Sequence, residues 1–290
     1  MAITIVFYSM YDFYFDKGAL VSVAMAIFPW FGIFNGFVSA RFYTFFNGSS
    51  WLKMAFCTSF FLPGLLSAGL MVIDWCEWVE TGRADTIPVR EAAVLCYYWF
   101  FVHAPSCFAG SYMSFIRPPI ESPVKKNRMA RQEEKKSEMP YWCEIPGTAF
   151  IAGFPPSMVV MYQLWDLMQN VNGPANIHAL HGMLYVIFAL FLIVVVQVAL
   201  INNYVTLTMQ EPCWWWRVWW GASAVGGYAF VIMLFYLLLD LRVVYYTQLI
   251  SYFTACFLAS SCLGLMCASL AMIMTFRFNL SIYSKVKLAD

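Results

Sequence analysis

The sequence predicts an all-α, polytopic helical transmembrane bundle, with seven complete spans after a partial N-terminal one. Three observations predict it: an apolar composition, long stretches without charge, and an uneven distribution of basic residues between those stretches. Of 290 residues, 62% are hydrophobic and 11% charged, where a soluble domain carries roughly 25% charged and about 45–50% apolar residues. Met54 to Ile73 runs twenty residues without a charge, and Met183 to Ile201 is interrupted only by Gln197. A helix needs roughly 20 such residues to cross about 30 Å of hydrocarbon.

The chain begins MAITIVFYSMY, about half of what a span requires, and continues into the polar loop DFYFDKG. A cleavable signal needs a basic start and a small-residue cleavage site, and here the first basic residue is Lys17. Residues 1–17 therefore read as a truncated span and luminal loop with no soluble N-terminal domain, and residues 18–290 as a multi-span membrane domain. Complete spans are expected near 19–42, 54–74, 91–116, 145–169, 181–203, 214–239 and 243–276.

In the first of these, Gly32 and Gly36 are four apart, the small-xxx-small spacing that lets two helices approach closely. The third carries His103 and Pro105 in FVHAPSC. An ionisable ring at mid-membrane is a candidate functional group, and a ring hydrogen-bonded to kinked backbone is the structural alternative. His178 and His181, ahead of the fifth span, have the i, i+3 spacing of a ligand pair but no third ligand nearby, and no metal is expected. Within that span Gln197 is the polar interruption.

The sixth span opens on EPCWWWRVWWG. Indoles favour the headgroup level, so Trp214, Trp215 and Trp216 are expected as interfacial anchors. Arg217 is expected to extend toward phosphates or the preceding loop. The last span bears a light face of Ala255, Ala259, Ser260, Gly264, Ala268 and Ala271, suited to packing against a neighbour.

Basic residues are retained on the cytoplasmic side of short loops. Arg41, Lys53, Arg117, Lys125, Lys126, Arg128, Arg131, Lys135, Lys136, Arg217, Arg277, Lys285 and Lys287 fall in one set of alternate loops, against Lys17, Arg83, Arg90 and Arg242 in the other. That imbalance assigns the 117–144 loop and the 277–290 tail to the cytosol. The sequons at Asn47 and Asn279 then lie on the cytosolic side and should carry no glycan. The cysteines lie mostly within spans, Cys76 alone facing an oxidising side, so no disulfide framework is implied. KKNRMARQEEKK at 125–136 mixes signs, and its contact with anionic lipid is diluted by Glu133 and Glu134.

Catalytic constellations are missing: there is no G-x-S-x-G, H-E-x-x-H, P-loop, Gly-rich nucleotide turn or Cys-x-x-Cys. No enzyme, cofactor or nucleic-acid partner is expected, and the lipid bilayer is the first partner.

Three motifs carry a family resemblance. Gly36-Phe-Val-Ser39-Ala40-Arg41-Phe-Tyr43 closes the first complete span, RPPIESPVKKNRMARQ supplies Arg117, Pro119, Pro123 and Asn127, and WWWR stands at 214–217. Together they resemble the nonaspanins, the transmembrane 9 superfamily, over nearly the whole chain from about residue 18. The resemblance implies the C-terminal membrane part of that family, with a stump of its second span and all of its third to ninth. It also implies a Golgi or endosomal membrane protein, C-terminus cytosolic, that sorts or localises other membrane proteins, with client proteins and cytosolic coat proteins as partners. In the physical form of that idea, small-residue grooves such as Gly32/Gly36 or the last span receive client helices. Family members end in Lys-x-Asp or Lys-x-Glu, whereas this chain ends Lys285-Val-Lys287-Leu-Ala-Asp290, one residue longer between lysine and acid. Tyr162 and Gln197 stand where many members carry membrane-embedded glutamates. The alternative class is a transporter or channel, its path lined by polar residues such as His103, Gln163, Gln197, Asn202 and Asn203.

Overall fold

The computed structural model describes residues 17–46, 48–82, 89–118, 120, 144–170, 177–209, 214–239 and 245–285. Every regular element among them is helical: α1 Lys17–Phe45, α2 Trp51–Thr81, α3 Val89–Tyr98, a π-helical turn Trp99–His103, α4 Ala104–Ile116, α5 Ile145–Asn170, α6 Ile177–Thr208, α7 Trp214–Leu239 and α8 Tyr246–Lys285. Each expected span coincides with helix. Five of the described helical stretches are long and apolar enough to cross a membrane: Trp51–Cys76, Ile145–Tyr162, Val186–Thr208, Trp214–Leu239 and Tyr246–Lys285. Within Val89–Ile116 the irregularity expected at Pro105 takes the form of a π turn over Trp99–His103.

The chain separates into two compact units, residues 1–121 and 122–290. In the first, α1 and α4 meet backbone to backbone. A methyl placed on Gly36 would overlap the carbonyl oxygen of Cys107, and one on Gly110 would overlap that of Ile33. Ser111, fully buried, donates to the Gly36 carbonyl at 3.3 Å and to the Cys107 carbonyl at 2.9 Å across this contact.

Prolines explain the irregular turns. Pro105 has no N–H and its ring crowds the carbonyl four residues back, so the preceding turn widens. The Ala104 N–H reaches back to the carbonyl of Trp99. Pro63, inside α2, likewise removes the donor that the Ser59 carbonyl would meet in a regular helix. That carbonyl accepts a hydrogen bond from the Trp99 indole N–H at 3.1 Å. One proline's orphaned carbonyl is thus satisfied by a ring that the other proline's π turn presents, and Phe60 packs on Trp99 with ring centroids 5.7 Å apart.

In the second unit the core is Phe191, Val195 and Ala199 of α6, Val218, Ala222 and Val225 of α7, and Cys267 and Ala271 of α8. Small residues again set the closest approach. A methyl on Gly226 would overlap the Ser260 carbonyl oxygen and lie 2.9 Å from the Cα of Gly264. On the α5 side a methyl on Gly153 would stand 2.8 Å from Ala224 Cβ, and the Tyr228 hydroxyl donates to the Phe150 carbonyl at 3.0 Å.

Helix α8 does not stop at 276, where a cytosolic tail was expected to begin, but runs 40 residues to Lys285. Its length is about 60 Å by helical rise, twice the hydrocarbon thickness. No proline or glycine interrupts residues 265–285, and Lys285 in the last turn complements the negative end of the helix dipole.

The proline compensation yields a thermodynamic cycle. Trp99→Phe should destabilise the detergent-solubilised protein by about 1–3 kcal/mol, as expected for an orphaned buried carbonyl. In a Pro63→Ala background residue 63 regains its N–H, and the same substitution should cost clearly less. Equal costs in the two backgrounds, measured by unfolding, would refute the compensation.

Candidate functional site: the polar and basic helix ends

The motif residues of the first unit converge although they are far apart in sequence. Arg41, at the end of α1, donates through Nη1 to the carbonyl of Pro118 at 2.7 Å. Arg117, beside that proline, sits over the ring of Phe37 at 5.0 Å. The Tyr43 hydroxyl lies 2.8 Å from the Ser50 hydroxyl and accepts the Ser50 backbone N–H at 3.3 Å, which fixes the turn into α2. Trp51, the first residue of α2, contacts Tyr112 and Phe115 of α4 with centroids 6.0 and 6.3 Å apart. Ala40 is fully buried, and the Ser39 hydroxyl donates to the Asn35 carbonyl within its own helix. Pro119, Pro123 and Asn127 lie outside the described residues.

Gly32 and His103 are brought together. A methyl on Gly32 would stand 2.9 Å from the His103 carbonyl oxygen and 3.0 Å from its Nδ1, and the ring is 5% exposed. The groove at Gly32 and Gly36 is therefore filled by the π turn and α4 of this chain, not open to a client helix. Sequence spacing shows that a close approach occurs without showing which helix makes it.

The second unit holds a polar cluster at the Trp214 end of α7. Asn203 of α6 and Asn279 of α8 exchange reciprocal amide hydrogen bonds, Nδ2 to Oδ1, at 2.7 and 3.3 Å, and both are buried. Asn202 donates through Nδ2 to the Arg217 carbonyl at 3.2 Å, and its own carbonyl accepts the buried Thr206 hydroxyl at 2.7 Å. Sequence reading offered Asn202 and Asn203 as groups that could line a path and Asn279 as a cytosolic-side sequon, and missed the pair across 76 residues. The available signal was two amides standing in otherwise apolar helical runs. Pairing also changes what Asn279 can report: a buried, engaged amide is a poor glycan acceptor whichever side it faces.

Arg217 departs from its expected place. It is 6% exposed and does not extend to solvent, because Trp214, Arg217, Val218, Gly221, Ala222 and Val225 follow one another at helical spacing along the packed face of α7. Trp214 packs against the core. Trp215 is half-buried, whereas Trp216 and Trp220, four residues apart, lie exposed on the outer side.

The remaining candidates are dispersed. Gln197 is exposed on α6 and Tyr162 on α5. The side chains of Gln163, His178 and His181 are outside the described residues, as are Lys287 and Asp290. Lys285 is the exposed last residue of α8. On α8, Ser260, Gly264, Ala268 and Ala271 are buried, while Ala255 and Ala259 are exposed. Between α5, α6 and α7 a crevice lined by Ala152, Pro156, Val195, Asn202, Gly221 and Val225 among others has a cavity volume of about 10 Å³. That is room for about one water, whereas ligand pockets begin at roughly 300 Å³.

Comparison with known proteins places this geometry in context. The family model for endomembrane protein 70 matches residues 1–247. The chain is 24% identical over 274 residues to transmembrane 9 superfamily member 9 of Arabidopsis thaliana, covering 94% of this chain and 42% of that protein. It is 26% identical over 272 residues to member 2 of Rattus norvegicus (94% and 40%), and 25% identical over 274 residues to member 4 of Homo sapiens (94% and 42%). The chain thus spans about two fifths of the length of these curated relatives. No solved structure matches it.

The Asn203–Asn279 pair is open to a double-mutant cycle. Asn203→Leu or Asn279→Leu alone should cost about 1–2 kcal/mol by leaving one buried amide unsatisfied. Asn203→Leu combined with Asn279→Leu should recover most of that loss. Strict additivity in detergent unfolding would show that the two amides are uncoupled.

Proposed function

The chain belongs to the endomembrane protein 70 family, the transmembrane 9 superfamily, and on that premise we propose that it sorts or localises other membrane proteins within Golgi or endosomal membranes. In this reading it crosses the bilayer seven times from residue 18 onward, with the 117–144 loop and the C-terminus in the cytosol. Clients are membrane proteins, and coat proteins engage the tail.

The observation that carries the reading is a distinction among the small residues. Those at Gly36, Gly110, Gly226 and Gly264 are consumed by contacts inside the units. A methyl placed on Gly227, next to Gly226, would meet no atom of a neighbouring helix within 4 Å, and Gly227 is exposed on the same side of α7 as Trp220 and Val231. An exposed glycine on a lipid-facing helix lowers packing against lipid and permits close approach of another helix. Ala255 and Ala259 offer similarly light exposed positions on α8.

Transport, the other class, has no comparable support. Gln197 and Tyr162 are exposed, the asparagines are engaged with protein partners, and the crevice is small.

Two tests address the proposal. Gly227→Leu, whose Cβ meets no neighbouring helix, should leave folding intact and reduce co-purification of client membrane proteins several-fold; undiminished capture of the same clients would remove Gly227 as a contact. For the tail, deletion of Leu288 restores the shorter lysine-to-acid spacing and should shift a tagged copy toward the Golgi. An unchanged distribution under microscopy would remove that signal from the proposal.

A further inference from the structure

The end of α1, the start of α2 and the end of α4 adjoin one another, and each carries a basic residue. Arg41 and Arg117 are tied to this end by the Pro118 carbonyl and the Phe37 ring. Lys53 stands in the first turn of α2, whose first residue packs on α4 and whose preceding Ser50 is bonded to Tyr43 of α1. Lys53 and Arg117 are exposed, and Arg41 is half-buried.

Charge at this end is unbalanced among the described residues. Among the described residues no carboxylate pairs with any of the three. Asp74, the carboxylate whose side chain is described in this unit, lies about six turns along α2, some 30 Å from Lys53 by helical rise. The start of α2 adds positive potential, since Ser50 makes no side-chain cap bond and a lysine occupies the turn where a helix dipole favours anions. Cations at three adjoining helix ends, with uncapped backbone amides at one of them, disfavour one another until an anion arrives.

We propose that the ends of α1, α2 and α4 form a docking site for the phosphate headgroup of an anionic phospholipid. Exposed Leu52 and Phe56 on α2, and Tyr112, Met113 and Ile116 on α4, supply apolar surface for its acyl chains. Arg41, bound to Pro118 through one nitrogen, retains further guanidinium donors. Arg117, over the Phe37 ring and exposed, has guanidinium donors to offer a phosphate oxygen. The basic-residue imbalance of the sequence assigns this end to the cytosolic leaflet, the one that carries anionic lipid. The inference concerns lipid recognition and does not rest on the sorting proposal.

The test uses the full chain in nanodiscs of phosphatidylcholine with a minor fraction of phosphatidylserine, extracted into neutral detergent, with retained lipid quantified by mass spectrometry. The protein should retain phosphatidylserine above its share of the bilayer. Lys53→Gln with Arg117→Gln should lower that enrichment about 30-fold, at roughly fivefold per basic residue removed. Arg277→Gln, which removes an exposed charge from α8, should leave most of it. No enrichment in the unaltered protein, or an equal loss with Arg277→Gln, would overturn the proposal. Displacement by inorganic phosphate at matched ionic strength would reassign the site to free phosphate, and also overturn it. Because the first and last of these measurements need only the unaltered protein, a misfolded variant would not protect the idea.

Discussion

Backbone contact between helices is the interaction on which both units depend. In hydrocarbon, helices gain little from burying apolar side chains against one another, and close packing of small residues takes over that role. Gly36 against Cys107, Gly110 against Ile33, and Gly226 against Ser260 and Gly264 are the points where no side chain intervenes. Ser111 then bonds to the opposing Gly36 carbonyl because the helices are close enough for a hydroxyl to reach across. The arrangement of Arg41, Phe37, Arg117 and Pro118 follows from the same crossing, since α1 and α4 leave the contact already side by side.

A second constraint is that each carbonyl released by a proline inside a span needs a donor from the protein. Pro105 meets it by widening its own helix into the Trp99–His103 turn. Pro63 meets it through the indole of Trp99. A tryptophan that sequence reading would count as one more apolar ring is therefore a polar partner, tying α2 to the π turn. His103 occupies the same turn and packs on Gly32. The proline, histidine and glycine that stood out separately in the sequence are parts of one junction.

Helix positions were legible because apolar runs and their charged borders are one-dimensional signals, and each expected span coincides with helix. Facing was less legible. The light residues of α8 were assigned to a packed face, and Ser260, Gly264, Ala268 and Ala271 lie on it, while Ala255 and Ala259 do not. Arg217 was expected outside because of its charge, yet its spacing from Gly221 and Val225 puts it on the buried face. A helix that is apolar all round gives little indication of which side is covered. The Asn203–Asn279 pair was illegible for a different reason: it joins residues 76 apart, and spacing within either helix does not reveal the other.

The distribution of satisfied and unsatisfied groups bears on what kind of work each unit can do. A conducting path needs polar groups that face a hydrated cavity and release their contacts as a solute passes. Within the second unit, Asn203, Thr206, Thr275 and Asn279 instead spend their hydrogen-bonding capacity on other parts of the protein. The first unit does the same with Ser111 at its tightest crossing. On the outside lie the open side of α7 at Gly227 and the exposed cations Lys53 and Arg117, while Asp74 Oδ1 and Ser114 Oγ are buried polar atoms without a hydrogen-bond partner in the first unit. In both units most of the buried polar side chains named above are thus engaged within the protein, which leaves little for a hydrated path.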